Sequence, residues 1–240
     1  MQRYFVEITS NEIKFENDDI HHILRVMRMK KDDQIEIVDK LSNKLYVASL
    51  ENLNPFTCKI EYEIPTDSEL PYDVTLFYCL AKGDKNELVV QKCTELGVKR
   101  IVFISSERCV VKWEEKDVKK KLERFNKIAK EASEQCHRIV VPEFLGVYSI
   151  NNIPNELFAE NNYFAYEKIA GKTQDLFTCL TTKIGSISIL VGAEGGFSPK
   201  EATLVTDKYN FTPVSLGKRI LRSETSAIYA LSVIGFALER

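Results

Sequence analysis

Residues 187–199 constrain the fold of this chain more than any other segment, because a strand, a glycine-rich loop and a helix start follow one another there. Ile187–Val191 is a short, mostly β-branched apolar run, as in strands that are buried on both faces. Gly192–Gly196 is rich in glycine, which lets a ligand approach the backbone closely. Ser198–Glu201 has a hydroxyl, a proline and a glutamate where a helix start favours them. The segment predicts a loop that holds a small ligand by its backbone, or a turn that needs glycine only for its own geometry.

A second segment, residues 214–227, has the same organisation. A short strand ends at Gly217, a basic stretch follows, and Ala227–Leu238 is an apolar helix. Two such loops favour a binding site, because α/β sheets bind ligands at the carboxyl ends of their strands. Neither loop has the G-x-G-x-x-G spacing of a dinucleotide site, and Gly171–Thr173 lacks the earlier glycine of a phosphate-binding loop, since Tyr166 stands there. Gly171–Thr173 is interpreted as a turn and helix start.

Composition excludes several classes of protein. The 240 residues suffice for one medium-sized domain or for a small and a larger one. There is no apolar run long enough to span a membrane, and Glu7 comes too early for a signal peptide, so neither a membrane span nor secretion is expected. The six cysteines are widely spaced without a C-x-x-C pair, which predicts reduced thiols, a cytoplasmic location and no metal site.

Charge is unevenly distributed along the chain. The net charge of −2 argues against a protein that coats nucleic acid indiscriminately. Residues 1–70 hold 9 basic and 14 acidic side chains, yet His21–Lys31 within them is a basic strip. Such a strip on an acidic body suits a specific contact with RNA phosphates, and a solvated charged turn is the alternative interpretation.

Two domains are predicted, residues 1–70 and residues 71–240. Short strands and one helix near Asp18–Val26 make the first a small β-barrel. Beyond the proline-bracketed linker Pro65–Pro71, strands alternate with helices, as in a mainly parallel sheet covered on both faces. The predicted strands of the second part are Val74–Leu80, Arg100–Ile104, Tyr163–Tyr166, Ile187–Val191 and Val214–Leu216, and its predicted helices include one capped by Asp84–Glu87, Asp117–Cys136 and Ala227–Leu238.

Together these motifs carry a family resemblance over essentially the whole chain. The pair G-x-E-G-G-F/L-S and L-G-x-R-I-L-R-x-E-T-x-A resembles the knotted SPOUT class of RNA methyltransferases, and within it the 16S rRNA uracil-N3 methyltransferase family. Further matching segments are His21–Met29, Lys82–Lys85, Thr94–Val98, Ser106–Cys109 and Glu134–Cys136. Departures from the family pattern are the small changes at Ala193, His137, Ser223 and Ser226, none of which removes a charge or a glycine from the two loops.

The resemblance implies the fold, the cofactor and the reaction. It implies an α/β SPOUT domain with a deep C-terminal trefoil knot, a small N-terminal PUA-like β-barrel that binds RNA, and a homodimer. Periodicity alone shows no knot, because unknotted connections are the strong default. The implied cofactor is S-adenosyl-L-methionine, the partner is 16S rRNA of the small ribosomal subunit, and the reaction is methyl transfer to N3 of a specific uridine.

Site residues follow from the resemblance with alternatives at several positions. Glu194 and Glu224 could hold a cofactor group, cap a helix or accept a proton, and Arg219 and Arg222 could steady the uracil oxygens or pair with an acid. The residues expected to be catalytic are Arg222 and Glu224. Those expected to bind the cofactor are Leu190, Gly192, Glu194, Gly195, Gly196, Leu216, Gly217, Ile220, Leu221 and Thr225. Those expected to contact RNA are Arg3, His22, Arg25, Arg28 and Arg219.

Two other functions are compatible with these residues. One is another knotted RNA methyltransferase that modifies tRNA or a ribose hydroxyl, against which the N-terminal barrel and its His21–Met29 segment argue. The other is a non-catalytic RNA-binding factor in ribosome assembly, against which the intact loop glycines and charged residues argue. Cofactor binding separates the last function from the first two.

Overall fold

The computed structural model describes residues 1–9, 12–169, 171, 174–180 and 185–239. The chain forms two compact units, of which the first is Met1–Glu69 with Ser133–Val140 and the second is Leu70–Ala132 with Val141–Arg240. In the described part of the chain, the helices are too short or too polar to cross a membrane. Of the predicted turn and helix start at residues 171–173, Lys172 and Thr173 lie outside the described residues.

A five-stranded sheet forms the first unit, with strand order β2-β1-β3-β4-β5. Strands β1 and β3 are parallel and the other neighbours are antiparallel. The sequence predicts four of the five strands, at residues 4–6, 34–38, 44–50 and 57–64, and it does not predict β2. The elements of this unit are β1 (Arg3–Ile8), β2 (Ile13–Lys14), α1 (Asn17–His21), a π-helical turn (His22–Val26), β3 (Gln34–Asp39), β4 (Lys44–Leu53) and β5 (Phe56–Ile64).

Side chains bring the two edges of this sheet together. Phe15, directly after β2, packs edge-on against Phe56 at the start of β5, with ring centroids 5.1 Å apart. The described backbone does not hydrogen bond β5 to β2, so these edges meet through side chains. Ile23 from the helical segment is fully buried against the same core as Tyr4 and Ile35. The predicted helix at 18–26 is confirmed, but its second half is wider than an α-helix.

Arg3 is buried inside the first unit, which corrects its prediction as an RNA contact. Its guanidinium lies 2.7 Å from the Glu36 carboxylate, and the two side chains are 5% and 14% exposed. The same guanidinium donates to the backbone carbonyl oxygens of His137 and Arg138. An arginine with these partners is a structural cation, because desolvation without them would be prohibitive.

The second unit is a six-stranded, fully parallel sheet in the order β11-β9-β10-β6-β7-β8, with helices interspersed along the chain. Its elements are β6 (Val74–Cys79), α2 (Lys85–Glu95), β7 (Arg100–Ser105), α3 (Glu115–Gln135), β8 (Glu143–Ser149), β9 (Asn161–Ala165), α4 (Leu176–Leu180), β10 (Ile187–Val191), α5 (Pro199–Asp207), β11 (Thr212–Val214) and α6 (Ser223–Leu238). The last residues of α3 belong to the first unit.

Burial explains why this sheet could be predicted. Every residue of β6 and β10 is buried, as a continuous apolar run in a parallel strand requires. The capping box at the start of α5 is also confirmed, since the Ser198 amide donates to the Glu201 carboxylate at 2.8 Å and the Ser198 hydroxyl accepts from the Glu201 amide. The predicted capping of α2 is wrong in one respect, because Asp84 makes no side-chain capping bond.

The predicted boundaries around the second glycine loop are displaced. Strand β11 is Thr212–Val214 rather than 214–216, because Pro213 is accommodated at the edge of the sheet. Helix α6 begins at Ser223, four residues before the predicted start, since polar residues of its first turn continue the helix. Strand β8 was not predicted, because Gly146 and polar flanks interrupt its apolar pattern.

We expect Arg3→Gln to lower the free energy of unfolding by about 3–5 kcal/mol, because it leaves the Glu36 carboxylate buried beside a neutral amide. The measurement is urea unfolding monitored by circular dichroism. Arg25→Gln is the matched control, because Arg25 is exposed, and it should change this free energy by less than about 0.5 kcal/mol. Equal stability of the Arg3→Gln variant and the wild type would contradict the structural role.

Candidate functional site

A cleft opens at the carboxyl ends of three neighbouring strands of the second unit. It encloses about 130 Å³, and it is open to solvent at its mouth. The loops after β9, β10 and β11 and the first turn of α6 form its walls. The lining residues are Ala165, Tyr166, Glu167, Val191, Gly192, Ala193, Glu194, Gly196, Phe197, Leu216, Gly217, Arg219, Ile220, Leu221, Ser223 and Ser226.

The glycine loop after β10 is shaped by close packing. Gly196 has φ +62°, and a Cβ there would lie 2.8 Å from a carboxylate oxygen of Glu167. A side chain at this position would therefore strain the backbone and would require the Glu167 side chain to move. Phe197 is fully buried and packs edge-on against Phe164 of β9, which anchors the end of the loop to the sheet.

The loop after β11 is open on the cleft side. Gly217 has φ +110°, and a Cβ built there would meet no atom within 4 Å. Ile220 is 77% exposed, so an apolar side chain stands at the mouth of the cleft with little protein cover. The amide of Gly171 donates to the Gly217 carbonyl at 2.9 Å, and the Ser215 hydroxyl accepts from the Gly217 amide at 3.1 Å. These hydrogen bonds to the Gly217 backbone hold the loop in place, and its inner surface is left available to a ligand.

A buried hydrogen bond fixes the start of α6 against the sheet. The Tyr78 hydroxyl, near the end of β6, lies 2.6 Å from the Ser223 hydroxyl. Burial raises the pKa of Tyr78, and the carboxylates of Glu224 and Glu194 raise it further despite the opposing hydrogen bond from Ser223. The phenol is therefore neutral and remains a hydrogen-bond partner across the usual pH range.

Lys85 ties the two acidic residues of the site together. Its ammonium lies 3.1 Å from Oε1 of Glu194 and 3.3 Å from Oε2 of Glu224. The hydrogen bond to Glu194 is the main cause that raises the pKa of Lys85. Burial raises the pKa of Glu194, but hydrogen bonds from its own amide, Lys85 and the Lys82 amide outweigh burial, so the pKa lies below its usual value. One cation therefore connects the β10 loop, the α2 start and the α6 start.

The structure brings most of the predicted cofactor-binding residues to one cleft. Those that line it are Gly192, Glu194, Gly196, Leu216, Gly217, Ile220 and Leu221. Three others do not line it. Leu190 is buried in the core, and the Cα of Gly195 faces the Arg108 side chain. Thr225 is exposed on α6, and the next residue, Ser226, lines the cleft instead. A side chain added at Gly195 would therefore meet Arg108, at 3.1 Å from its Cβ, rather than ligand space.

The two residues predicted to be catalytic lie at the start of α6, beside the cleft rather than in its lining. Arg222 is the exposed residue that precedes the helix, and it forms no ion pair with the described residues. Glu224 is 13% exposed at its side chain and pairs with Lys85. The ion pair with Lys85 is a contact that none of the three interpretations of Glu224 predicts, and those interpretations stay predictions.

The predicted RNA contacts divide into two groups. In the first unit, Arg25 and Arg28 are exposed beside Val26 and Met27, which are 59% and 46% exposed. The π-helical turn presents this segment, and Arg28 has φ +54°. The His22 ring is held by a hydrogen bond between its Nδ1 and the Tyr4 hydroxyl, which are 3.0 Å apart. Arg219 belongs to the second unit and lines the cleft mouth.

Sequence reasoning missed the third wall of the cleft and the lysine beside it. The wall is Ala165, Tyr166 and Glu167, at the end of β9. A signal existed, because the strand Tyr163–Tyr166 was predicted and parallel strands bring their carboxyl ends to one edge. Lys85 was noted only as part of a matching motif. No spacing rule connects it to Glu194 and Glu224, which lie more than a hundred residues away.

Comparisons with known proteins agree with this architecture. A family model for an RNA methyltransferase domain matches residues 68–235, and a model for an RNA methyltransferase PUA domain matches residues 15–61. Ribosomal RNA small subunit methyltransferase E of Bacillus subtilis is 35% identical over 252 aligned positions, which cover 100% of this chain and 98% of that protein.

Solved structures give the same result. Ribosomal RNA small subunit methyltransferase E from Neisseria gonorrhoeae, bound to S-adenosyl methionine, has a TM-score of 0.82 and 28% identity, with 98% of this chain and 97% of that chain covered. A methyltransferase structure from Legionella pneumophila with the bound cofactor SAM has a TM-score of 0.86 and 28% identity, with 99% and 98% covered.

A parallel α/β sheet with a ligand cleft at its carboxyl edge, joined to a PUA unit, defines an RNA methyltransferase. Within that class, the chain belongs to the ribosomal RNA small subunit methyltransferase E family.

We expect Lys85→Gln to raise the pKa of Glu194 toward its ordinary value of 4.5, because the variant loses the ammonium that stabilises the carboxylate. A carboxyl group whose pKa is lower in the folded state than in the unfolded state stabilises the protein at pH values above its unfolded-state pKa. This stabilisation disappears as the pH falls through the folded-state pKa. The variant should therefore lose less stability on acidification below about pH 5 than the wild type does.

Carbon-13 NMR titration of the Glu194 carboxyl, with thermal melts over the same acidic range, measures this effect. Lys82→Gln is the matched control, because Lys82 contacts Glu194 through its backbone amide, which the substitution keeps. If both variants titrate like the wild type, the Lys85 ion pair does not determine the charge of Glu194.

Proposed function

We propose that this protein transfers a methyl group from S-adenosyl-L-methionine to N3 of a specific uridine in 16S rRNA of the small ribosomal subunit. The observation that carries the proposal is the cleft at the ends of β9, β10 and β11, in a chain that belongs to the ribosomal RNA small subunit methyltransferase E family. The reaction needs a site that holds the methyl donor and a surface that holds RNA, and the two units each supply a candidate.

The lining of the cleft suits S-adenosyl-L-methionine. The cleft is open at its mouth, so a ligand can extend beyond the enclosed part. Gly217 leaves open space where a side chain would stand, so the backbone can approach an adenosine closely. Leu216, Ile220 and Leu221 offer apolar cover and main-chain groups to the adenine. When bound, the cofactor supplies an activated methyl group.

Chemistry at the uridine requires an exposed base edge and a stabilised charge. N3–H is engaged in base pairing, so the target must be unpaired or flipped out to reach the cleft. Loss of the N3 proton places negative charge on the uracil oxygens. We assign Arg222 to this charge, because its exposed guanidinium stands beside the cleft without an ion pair among the described residues. Glu224 remains a proposed catalytic residue whose charge Lys85 stabilises.

RNA binding is proposed for two surfaces. On the first unit, Arg25, Arg28 and His22 lie on the basic strip, where exposed cations can follow phosphates and the neighbouring apolar side chains can contact bases. On the second unit, Arg219 lines the cleft mouth. The division into residues 1–70 for RNA binding and 71–240 for methyl transfer is part of the same proposal.

A trefoil knot and a homodimer complete the proposal. The knot is what the family resemblance implies, and the segments it would involve lie side by side, since the Leu176 amide donates to the Ser215 carbonyl at 3.2 Å. Helix α6 exposes Tyr229 and Phe236 at 44% and 54%, and an apolar face of this kind supports self-association. All six cysteines are thiols, which supports the cytoplasm as the location.

The experiment that tests the function is a modified-nucleoside profile of 16S rRNA from cells that lack this protein. We expect 3-methyluridine to disappear and to return when the wild-type gene is supplied. Retention of 3-methyluridine in 16S rRNA, with loss of a tRNA or ribose methylation, would instead indicate another RNA methyltransferase. An unchanged profile, together with no cofactor binding, would indicate an assembly factor without activity.

We expect Gly217→Ala to weaken S-adenosyl-L-methionine binding by about tenfold or more, because its Cβ would occupy cleft space and resist the φ of +110°. Isothermal titration calorimetry measures the affinity. Gly83→Ala is the matched control, since Gly83 also has positive φ and open space around a Cβ but does not line the cleft. If both variants bind as tightly as the wild type, the β11 loop does not hold the cofactor.

We expect Arg222→Lys to keep most RNA and cofactor binding but to lower single-turnover methylation by about a hundredfold, because a lysine cannot reproduce the planar guanidinium fork. The melting temperature should stay near that of the wild type, since Arg222 makes no ion pair with the described residues. Full turnover with a lowered melting temperature would show a structural role instead.

A further inference from the structure

Three carboxylates approach the cleft, and their bonding differs. Glu194 and Glu224 share the ammonium of Lys85. Glu167, in the short helical turn after β9, also lines the cleft. Among the described residues, its carboxylate has neither an ion pair nor a hydrogen bond.

The position of Glu167 is tightly defined despite this lack of partners. Its carboxylate lies over the backbone of Gly196, where both of its oxygen atoms would be 2.8 and 3.0 Å from an added Cβ. A side chain at position 196 would therefore have to displace the Glu167 carboxylate. The loops after β9 and β10 meet at this contact, and both line the cleft.

A carboxylate that is partly withdrawn from water is costly unless it gains hydrogen bonds. Glu167 is half-buried and receives none from the protein residues described here, so a structural role does not explain it. An ionised carboxylate can only accept hydrogen bonds, so a ligand that binds it has to offer donors, such as hydroxyl or ammonium groups. A charged acceptor in a sheltered cleft forms stronger bonds to such donors than a neutral one does.

We propose that Glu167 binds the cofactor, with its carboxylate accepting hydrogen bonds from the ribose hydroxyls or the ammonium group of S-adenosyl-L-methionine. This inference rests on the proposed function. It also separates the roles of the acids, because Glu194 and Glu224 have their charge balanced by Lys85 and Glu167 alone keeps its full charge for the ligand.

The experiment is isothermal titration calorimetry of the full-length protein with S-adenosyl-L-methionine and, separately, with S-adenosyl-homocysteine. Both ligands carry the ribose hydroxyls and the ammonium group, but only the first has the positive sulfur. Glu167→Gln keeps the size of the side chain and removes its charge. Glu156→Gln is the matched control, because Glu156 lies in another short helical turn, is exposed and does not line the cleft.

We expect Glu167→Gln to weaken both ligands by about 10- to 100-fold, as the loss of a charged hydrogen-bond acceptor does. Glu156→Gln should bind both like the wild type. The melting temperature of the Glu167→Gln variant should not fall, because no bond within the described residues is lost, so weaker binding would not reflect unfolding.

Three results would overturn the inference while leaving the proposed function intact. The first is unchanged affinity of the Glu167→Gln variant for both ligands, and the second is an equal loss of affinity in the Glu156→Gln control. The third is a loss of affinity for S-adenosyl-L-methionine alone, which would indicate that Glu167 attracts the positive sulfur and does not accept hydrogen bonds from the ligand. Failure of the wild type to bind either ligand would overturn the proposed function and this inference together.

Discussion

Parallel pairing of β9, β10 and β11 determines where the chemistry of the second unit is located. Parallel strands all end at the same edge of the sheet, so the three loops that follow them lie close together. No sequence motif that links the loops is needed for this. Strand β10 is buried along its whole length, so it contributes rigidity to this edge of the sheet. The glycines of the loops then let the main chain form the walls of the cleft, while the few side chains that reach it are free to differ in charge and size.

Charge at the cleft is organised by a single lysine on a different element. Lys85 sits at the start of α2, yet it holds one acid from the β10 loop and one from the start of α6. Without the Lys85 ammonium, the Glu194 and Glu224 carboxylates would be two negative charges beside each other. The lysine therefore stabilises the ionised form of both acids and holds together the segments that carry them. The same arrangement leaves Glu167 as the acid with charge available to a ligand.

The sequence predicts the strands and helices better than it predicts the contacts between them. The uniform apolar run of residues 187–191 and the capping box at Ser198 are local signals, and both are confirmed. Lys85 with its two acids and Glu167 over Gly196 depend on loops brought together by the sheet, which no local pattern encodes. Arg3 shows the opposite error, because the family resemblance implies an RNA contact there, whereas the structure buries its side chain beside Glu36.

The Arg3 guanidinium donates hydrogen bonds to the backbone carbonyl groups of His137 and Arg138. The Glu69 carboxylate forms an ion pair with the Arg138 side chain at 2.6 Å. The first unit is therefore discontinuous in sequence, with its start and its last ion pair separated by a large part of the second unit. During synthesis at about 5–20 residues per second, the nascent N-terminal sheet emerges several seconds before the carbonyls that solvate its buried arginine. Completion of the first unit thus waits until residues 133–140 have been translated, by which point strands β6 and β7 of the second unit have already been synthesised.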